Sequence, residues 1–234
     1  MRWVLSPGIA LCLVLAACSG GGDPSLDGEW LAEEPATVLA ASADAMVGTE
    51  SVAFTLERTG AAVHIDPLET LTLDAVTGRF TVPADAEAIV TVQVNDSLRT
   101  ELGAVATGGE VWLSNPVTGV FEPLPDGYDI DPRLFFDPVN GWQPLIDGLQ
   151  HAEFVGVEND RYHLRGLATA DRIAAVTAGL AAEDIVVDLW VHPVDATVRR
   201  VAFTTSTADG AASWLLELDD YGEPFVISPP EVAA

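Results

Sequence analysis

The feature that most constrains this chain is an apolar alternation with a period of two residues. Val52, Phe54 and Leu56 alternate with Ala53, Thr55 and Glu57. Leu71 and Leu73 alternate with Thr70, Thr72 and Asp74, and Val90, Val92 and Val94 with Thr91 and Gln93. Leu102, Ala104 and Ala106 follow, and Gly108-Gly109 turns the chain into Val111-Trp112-Leu113. Successive side chains on a strand point to opposite faces, so this pattern predicts antiparallel strands with one apolar and one wet face. Strands resume over 151–157 and 161–167 around a turn at Glu158-Asn159-Asp160, then over 185–192, 199–207 and 213–220. The expected total is about ten.

Helical spacing appears in three places. Pro35 suits a first helical position, Val38, Leu39, Ser42, Ala45 and Met46 form one stripe, and Gly48 can end it. Residues 170–181 carry a second stripe of Ile173, Val176, Thr177 and Leu180. Between them Leu134, Phe135, Phe136, Val139, Trp142, Leu145, Ile146 and Leu149 fall at roughly helical spacing. Pro138, Gly141 and Pro144 forbid one continuous helix and predict two short pieces. The fold class is α+β, with helices laid on one face of a large curved antiparallel sheet. An apolar content of 49% is ample for a sizeable core.

The N-terminus reads as an address. Trp3 to Ala17 is almost wholly apolar behind Arg2, and is too short to span a bilayer comfortably, which takes about 20 residues. It reads as a secretory signal. Its end, Leu15-Ala16-Ala17-Cys18, resembles the lipobox of bacterial lipoproteins, in which the cysteine thiol receives a diacylglyceryl group. The expected organisation is a signal over 1–17, a flexible tether over 18–34 rich in glycine and acids, and a single domain over 35–234. Trp30 and Leu31 of the tether are placed to dock on the domain, and the tail from Ser228 reads as frayed. Cys12 leaves with the signal, so the mature chain has no disulfide. Two or three acyl chains on Cys18 would hold it to the cell membrane on the extracytoplasmic face, at about 0.8 kcal/mol per buried CH₂.

Charge excludes other partners. The chain has 36 acids against ten basic residues, all arginine, for a formal charge of −26. Such a body will not track a nucleic-acid backbone and is repelled by anionic headgroups. Residues for catalysis are not found: there is no nucleophile elbow, phosphate loop or dinucleotide fingerprint, and no cofactor is expected. His64, His151, His163 and His192 have no ligand spacing, so no metal site is expected. Asp126, Asp129 and Asp131 fit no calcium loop, and Asp219-Asp220 in so acidic a chain selects no catalytic dyad. Asn95-Asp96-Ser97 matches a glycosylation acceptor but reads as a turn. The segment from Leu134 to Leu149 has two readings, core packing or a mobile cover over an apolar cavity.

The lipobox "LAAC" is followed by "ATVLAASADAMVGTESVAFTLE", "GGEVWLSNPVTGVFEPLP", "FFDPVNGWQPLIDGLQHAEFVG", "VDLWVHP", "RRVAFTT" and "ELDDYGEPFVISPP". Together these stretches resemble the LppX/LprAFG lipoproteins of actinobacteria and some related bacteria, in a match that spans roughly Pro35 to Pro230. The resemblance implies a half-open β-barrel similar to the LolA/LolB carriers, with helices on the concave face. It implies an internal apolar cavity for acylated lipids or glycolipids, and an exporter or acceptor protein as partner. It also favours a lid over 134–149. The expected lipid-binding residues are Val52, Phe54, Leu56, Leu71, Leu73, Val90, Val92, Val94, Phe135, Phe136, Trp142, Ile146 and Leu149. The alternative is an envelope sensor or interaction module on the same scaffold without cargo. The strong acidity and absence of lysine depart from many relatives and argue against an anionic cargo headgroup.

Overall fold

The computed structural model describes residues 34–231 apart from 83, 96, 125–132, 134–135, 138, 178 and 180. The expectations for the signal, Cys18, the tether with Trp30 and Leu31, the Asp126, Asp129 and Asp131 cluster, Leu134, Phe135 and Leu180 lie outside the described residues. Helix α1 spans Pro35–Val47 and is followed by β1 (Ser51–Gly60), β2 (Leu71–Thr81), β3 (Asp85–Val94), β4 (Leu98–Thr107), β5 (Glu110–Ser114) and β6 (Phe121–Pro123). Then come α2 (Trp142–Asp147), β7 (Gln150–Glu158), β8 (Arg161–Ala168), α3 (Ala170–Val176), β9 (Ile185–Val191), β10 (Val198–Thr207) and β11 (Gly210–Asp219). No described helix is long and apolar enough to cross a membrane.

All eleven strands form one antiparallel sheet in the order β6-β5-β4-β3-β2-β1-β11-β10-β9-β8-β7. The sheet is curved and not closed, a half-open barrel with helices on its concave side. It is two hairpin meanders, β1–β6 and β7–β11, joined where the first strand pairs the last, as in Phe54 opposite Leu218 and Leu56 opposite Leu216. The strand beyond the expected ten is β6, three residues long and too short to show alternation. Its edge position with Pro123 is typical, since a proline has no ladder N–H to offer. The edge strands β6 and β7 are consecutive in the chain, so residues 124–149 must connect the two margins of the sheet.

Alternation decides which face is buried. In β1, Val52, Phe54 and Leu56 are buried, and their neighbours on β2 and β11 are Phe80, Gly78, Val76, Leu218 and Leu216. Within β2 the parity changes. The register slips between Leu73 and Ala75, so one extra residue is inserted there. This bulge puts the odd-numbered Leu71 and Leu73 on the same face as the even-numbered Val76 and Phe80. Asp74, in the bulge, is held by Arg58 Nη2 at 3.1 Å and by Gln93 Nε2 at 3.0 Å.

The helices follow the expected pattern with two adjustments. Pro35 stands at the start of α1, where its missing N–H costs nothing. Gly48 ends the helix in a right-handed conformation, φ −76°, rather than in the left-handed cap that favours glycine. Helix α3 stops at Val176, short of the expected 181. The Thr177 hydroxyl donates to the Ile173 carbonyl at 2.7 Å, and Gly179, at φ +81°, turns the chain away. In the middle segment α2 forms after Gly141 and Gly148 closes it, and ahead of it Arg133 and Phe136 lie in 3-10 conformation.

Candidate functional site

The inner face of the sheet carries an unbroken apolar row. Phe154, Leu164, Leu189, Val201, Leu216, Leu56, Val76, Val90 and Leu102 are successive cross-strand neighbours from β7 to β4. Nine strands spaced about 4.8 Å apart make a row roughly 40 Å long around the sheet. Beside it lies a strip of small residues, Gly78, Ala88 and Ala104, paired in line across β2, β3 and β4. Ala86 and Ala106 are paired one step away on the same face. Small residues make this a shallow basin, bounded by Phe54 of β1 and Leu113 of β5.

Aromatic rings occupy the basin. A Cβ on Gly78 would lie 2.5 Å from the Phe54 ring, so Phe54 lies directly over this glycine. Phe136 stacks on Phe80 with centroids 4.2 Å apart and sits 6.0 Å from Phe54. Phe136 comes from the segment that joins the two sheet edges. That segment makes local hydrogen bonds: Asp137 Oδ1 accepts from Val139 N and Asn140 N, and its carbonyl accepts from Gly141 N. Val139 projects outward, 67% exposed. Behind it Trp142, Leu145 and Ile146 of α2 are buried in the same core as Val38 and Leu39 of α1 and Ile173 of α3.

The structure places Val52, Phe54, Leu56, Leu71, Leu73, Val90, Val92 and Val94 together on this inner face, with Leu71 and Val94 only partly buried near one end. Trp142, Ile146 and Leu149 are buried in the helical layer or beside it, and Phe136 is half-buried. Sequence reasoning missed Phe80 and the whole second half of the lining, including Leu164, Leu189, Val201, Leu216 and Leu218. The alternation in 161–167, 185–192, 199–207 and 213–220 carried that signal. Phe80 was hidden by the parity change at the bulge.

The opposite face is polar. A concavity of about 580 Å³ opens there over β11, β1, β2, β3 and β4. Its wall mixes Thr55, Thr77, Glu87, Glu217 and Asp219 with Ile89 and Phe121, so it offers no continuous surface to hydrocarbon. Farther along, His163 Nε2 meets Asp188 Oδ1 at 2.6 Å and its Nδ1 meets Glu158 Oε1 at 3.1 Å. Its ring stacks on Trp190 at 4.3 Å, and the Arg200 guanidinium covers Trp190 from 5.0 Å. The Trp190 and His163 hydrogen bonds hold the Glu158 carboxyl below its ordinary value. Both faces of Trp190 are thereby in use, and the cluster ties β8, β9 and β10. Among the described residues no three His, Cys, Asp or Glu side chains are grouped to hold a metal ion.

The model of the family described as LppX_LprAFG lipoprotein matches residues 34–227. No curated protein sequence matches significantly. Among solved structures, LprF from Mycobacterium bovis superposes with a TM-score of 0.64 at 18% identity, covering 84% of this chain and 96% of that one. LppX from Mycobacterium tuberculosis gives 0.58 at 15%, covering 83% and 98%. At these identities the likeness concerns the fold: an open antiparallel sheet with helices on one side. With the family model spanning nearly the entire described domain, the chain belongs to the LppX_LprAFG lipoprotein family.

Proposed function

We propose that this protein binds acylated lipids or glycolipids through their hydrocarbon chains along the inner face, and carries or shields them within the cell envelope. The observation that carries the reading is the apolar row running across nine strands beneath a segment whose Phe136 ring stacks on Phe80, beside a strip of small residues. Burying hydrocarbon there gains about 25 cal/mol per Å² of apolar surface, and fluid chains need no directed contact. The work done is sequestration, not bond chemistry. An acyl group on Cys18 would tie the chain to the extracytoplasmic face of the membrane, with an exporter or acceptor protein completing the transfer.

Phe136 stands where a chain would lie, so loading requires its part of the 134–149 segment, ahead of α2, to move aside while α2 keeps its place in the core. The same packing supports the alternative, an interaction module with no cargo. Native mass spectrometry and lipid extraction separate the two. Protein from several hosts is expected to carry acylated lipid, and a Val92→Trp variant to carry less while remaining folded. Consistently empty protein would end the carrier reading.

A further inference from the structure

We propose that one end of the sheet is a bilayer-docking rim, formed by the tips of three neighbouring connections and fitted to a lipid surface with neutral headgroups. In an antiparallel sheet the β1–β2, β3–β4 and β5–β6 connections all emerge at the same end. Each carries a large aliphatic side chain in the open: Leu68 is 80% exposed, Leu98 63% and Val117 90%. Single exposed apolar residues are ordinary. Here three stand on adjacent hairpins, within about 20 Å of one another at normal strand spacing.

Two of these tips are held out by their own hydrogen bonds. The Asp66 carboxylate accepts from Thr70 N at 2.9 Å, Leu71 N at 2.7 Å and the Thr70 hydroxyl at 2.8 Å. Glu69 takes a left-handed conformation, φ 56°, to close the turn that presents Leu68. In the β5–β6 loop Asn115 Oδ1 accepts from Val117 N at 2.9 Å and Thr118 N at 3.1 Å, and Asn115 O accepts from Gly119 N. A loop collapsing to hide an apolar residue would break these bonds.

The rim is continuous with the inner face. Leu71 pairs with Val94, and Val94 with Leu98, so the apolar lining runs out to the tip of β3–β4. At the far end Val47, Val82, Val194 and Val226 are also exposed, but they stand on a helix end, two separate turns and the C-terminal segment rather than on adjacent hairpins, and the turns beside Val82 and Val194, Gly108-Gly109 and Asn159-Asp160, are small or polar. Charge selects the headgroup. A body of −26 is repelled by an anionic surface, so contact depends on hydrocarbon insertion into a neutral one. The inference rests on exposure and placement. The lipid-carrier reading adds only the reason why the end where the lining emerges should meet the bilayer.

The test uses the chain as the cell processes it, reconstituted in phosphatidylcholine vesicles. A dye is attached at an introduced cysteine, Val117→Cys at the rim or Val194→Cys at the far end, and brominated lipids serve as quenchers. Quenching is expected at 117 and absent at 194. It should be lost when Leu68→Asp and Leu98→Asp are added, and weakened by phosphatidylglycerol at low salt. Thermal unfolding should be unchanged in the double variant, since both side chains are exposed. An unquenched label at 117, or equal quenching at both ends, overturns the proposal. Bound lipid is read separately by native mass spectrometry, so a loaded protein with an unquenched rim would sink the docking surface and leave the carrier reading standing.

Discussion

Replacing Phe136 by alanine separates a cover from a core. Phe136 is partly buried, stacked 4.2 Å from Phe80 and within 6.0 Å of Phe54. A phenylalanine buries about 150–250 Å², so about two thirds of that at 25 cal/mol per Å² is roughly 2.5–4 kcal/mol. The stacked pair adds about 0.5–1.5 kcal/mol. If the segment belonged to the permanent core, Phe136→Ala should lower global stability by about 3 kcal/mol or more. A cover that opens on its own imposes a ceiling, because the loss cannot exceed the free energy that keeps it shut, and such elements come from the low end of local stability. The expected result is therefore a loss near or below about 1 kcal/mol, together with higher lipid occupancy and faster exchange of amide protons over 136–141. Urea unfolding, native mass spectrometry and hydrogen exchange read the three quantities. A full loss of about 3 kcal/mol or more with unchanged occupancy would refute the cover.

Gly78→Ala tests the basin. In an ordinary strand alanine gains about 0.5–1 kcal/mol over glycine, but here the new Cβ would stand 2.5 Å from both the Phe54 ring and the Glu87 carbonyl. Overpacking at about 1–3 kcal/mol wins. We expect a net loss of about 1–2 kcal/mol, a fall in Tm of roughly 2–8 °C by calorimetry, and an unchanged or higher Tm would contradict the geometry. Asp66→Asn tests the β1–β2 loop. Burial pushes the Asp66 carboxyl up, but hydrogen bonds from Leu71 N, the Thr70 hydroxyl and Thr70 N outweigh it and leave the group below its ordinary value. Its contribution is then fully present above the unfolded carboxylate value of about 4 and is lost as pH falls through the lower folded value. Urea midpoints should show the Asp66→Asn variant less stable at neutral pH and converging with the parent on acidification; parallel curves would rule the linkage out.

Much of the lining was legible because alternation is local. Val52, Phe54 and Leu56 declare their shared face by spacing alone, as do Val90, Val92 and Val94. Leu71 and Leu73 were legible only within their own stretch. Their relation to Phe80 depends on one inserted residue at Asp74, and the sequence does not mark it, because Thr-Leu-Asp-Ala-Val reads as an uninterrupted strand. The basin escaped notice for a different reason. Gly78, Ala86, Ala88, Ala104 and Ala106 look ordinary one at a time, and become a depression only when hydrogen bonding aligns them. The segment over 134–149 stood out by its prolines and aromatics, yet its two readings, core and cover, could not be separated by spacing.

The chain by itself determines its hairpins, its apolar and wet faces, the short helices bounded by proline and glycine, and its strong acidity. These follow from neighbours a few residues apart, where steric preference and periodicity act directly. Only the folded molecule decides that β1 closes against β11, more than 150 residues away, and that the bulge brings Leu73 and Phe80 to one face. The joining of the two meanders, the small-residue basin and the placing of Phe136 over it all depend on which distant surfaces pack best, and no local pattern specifies that choice.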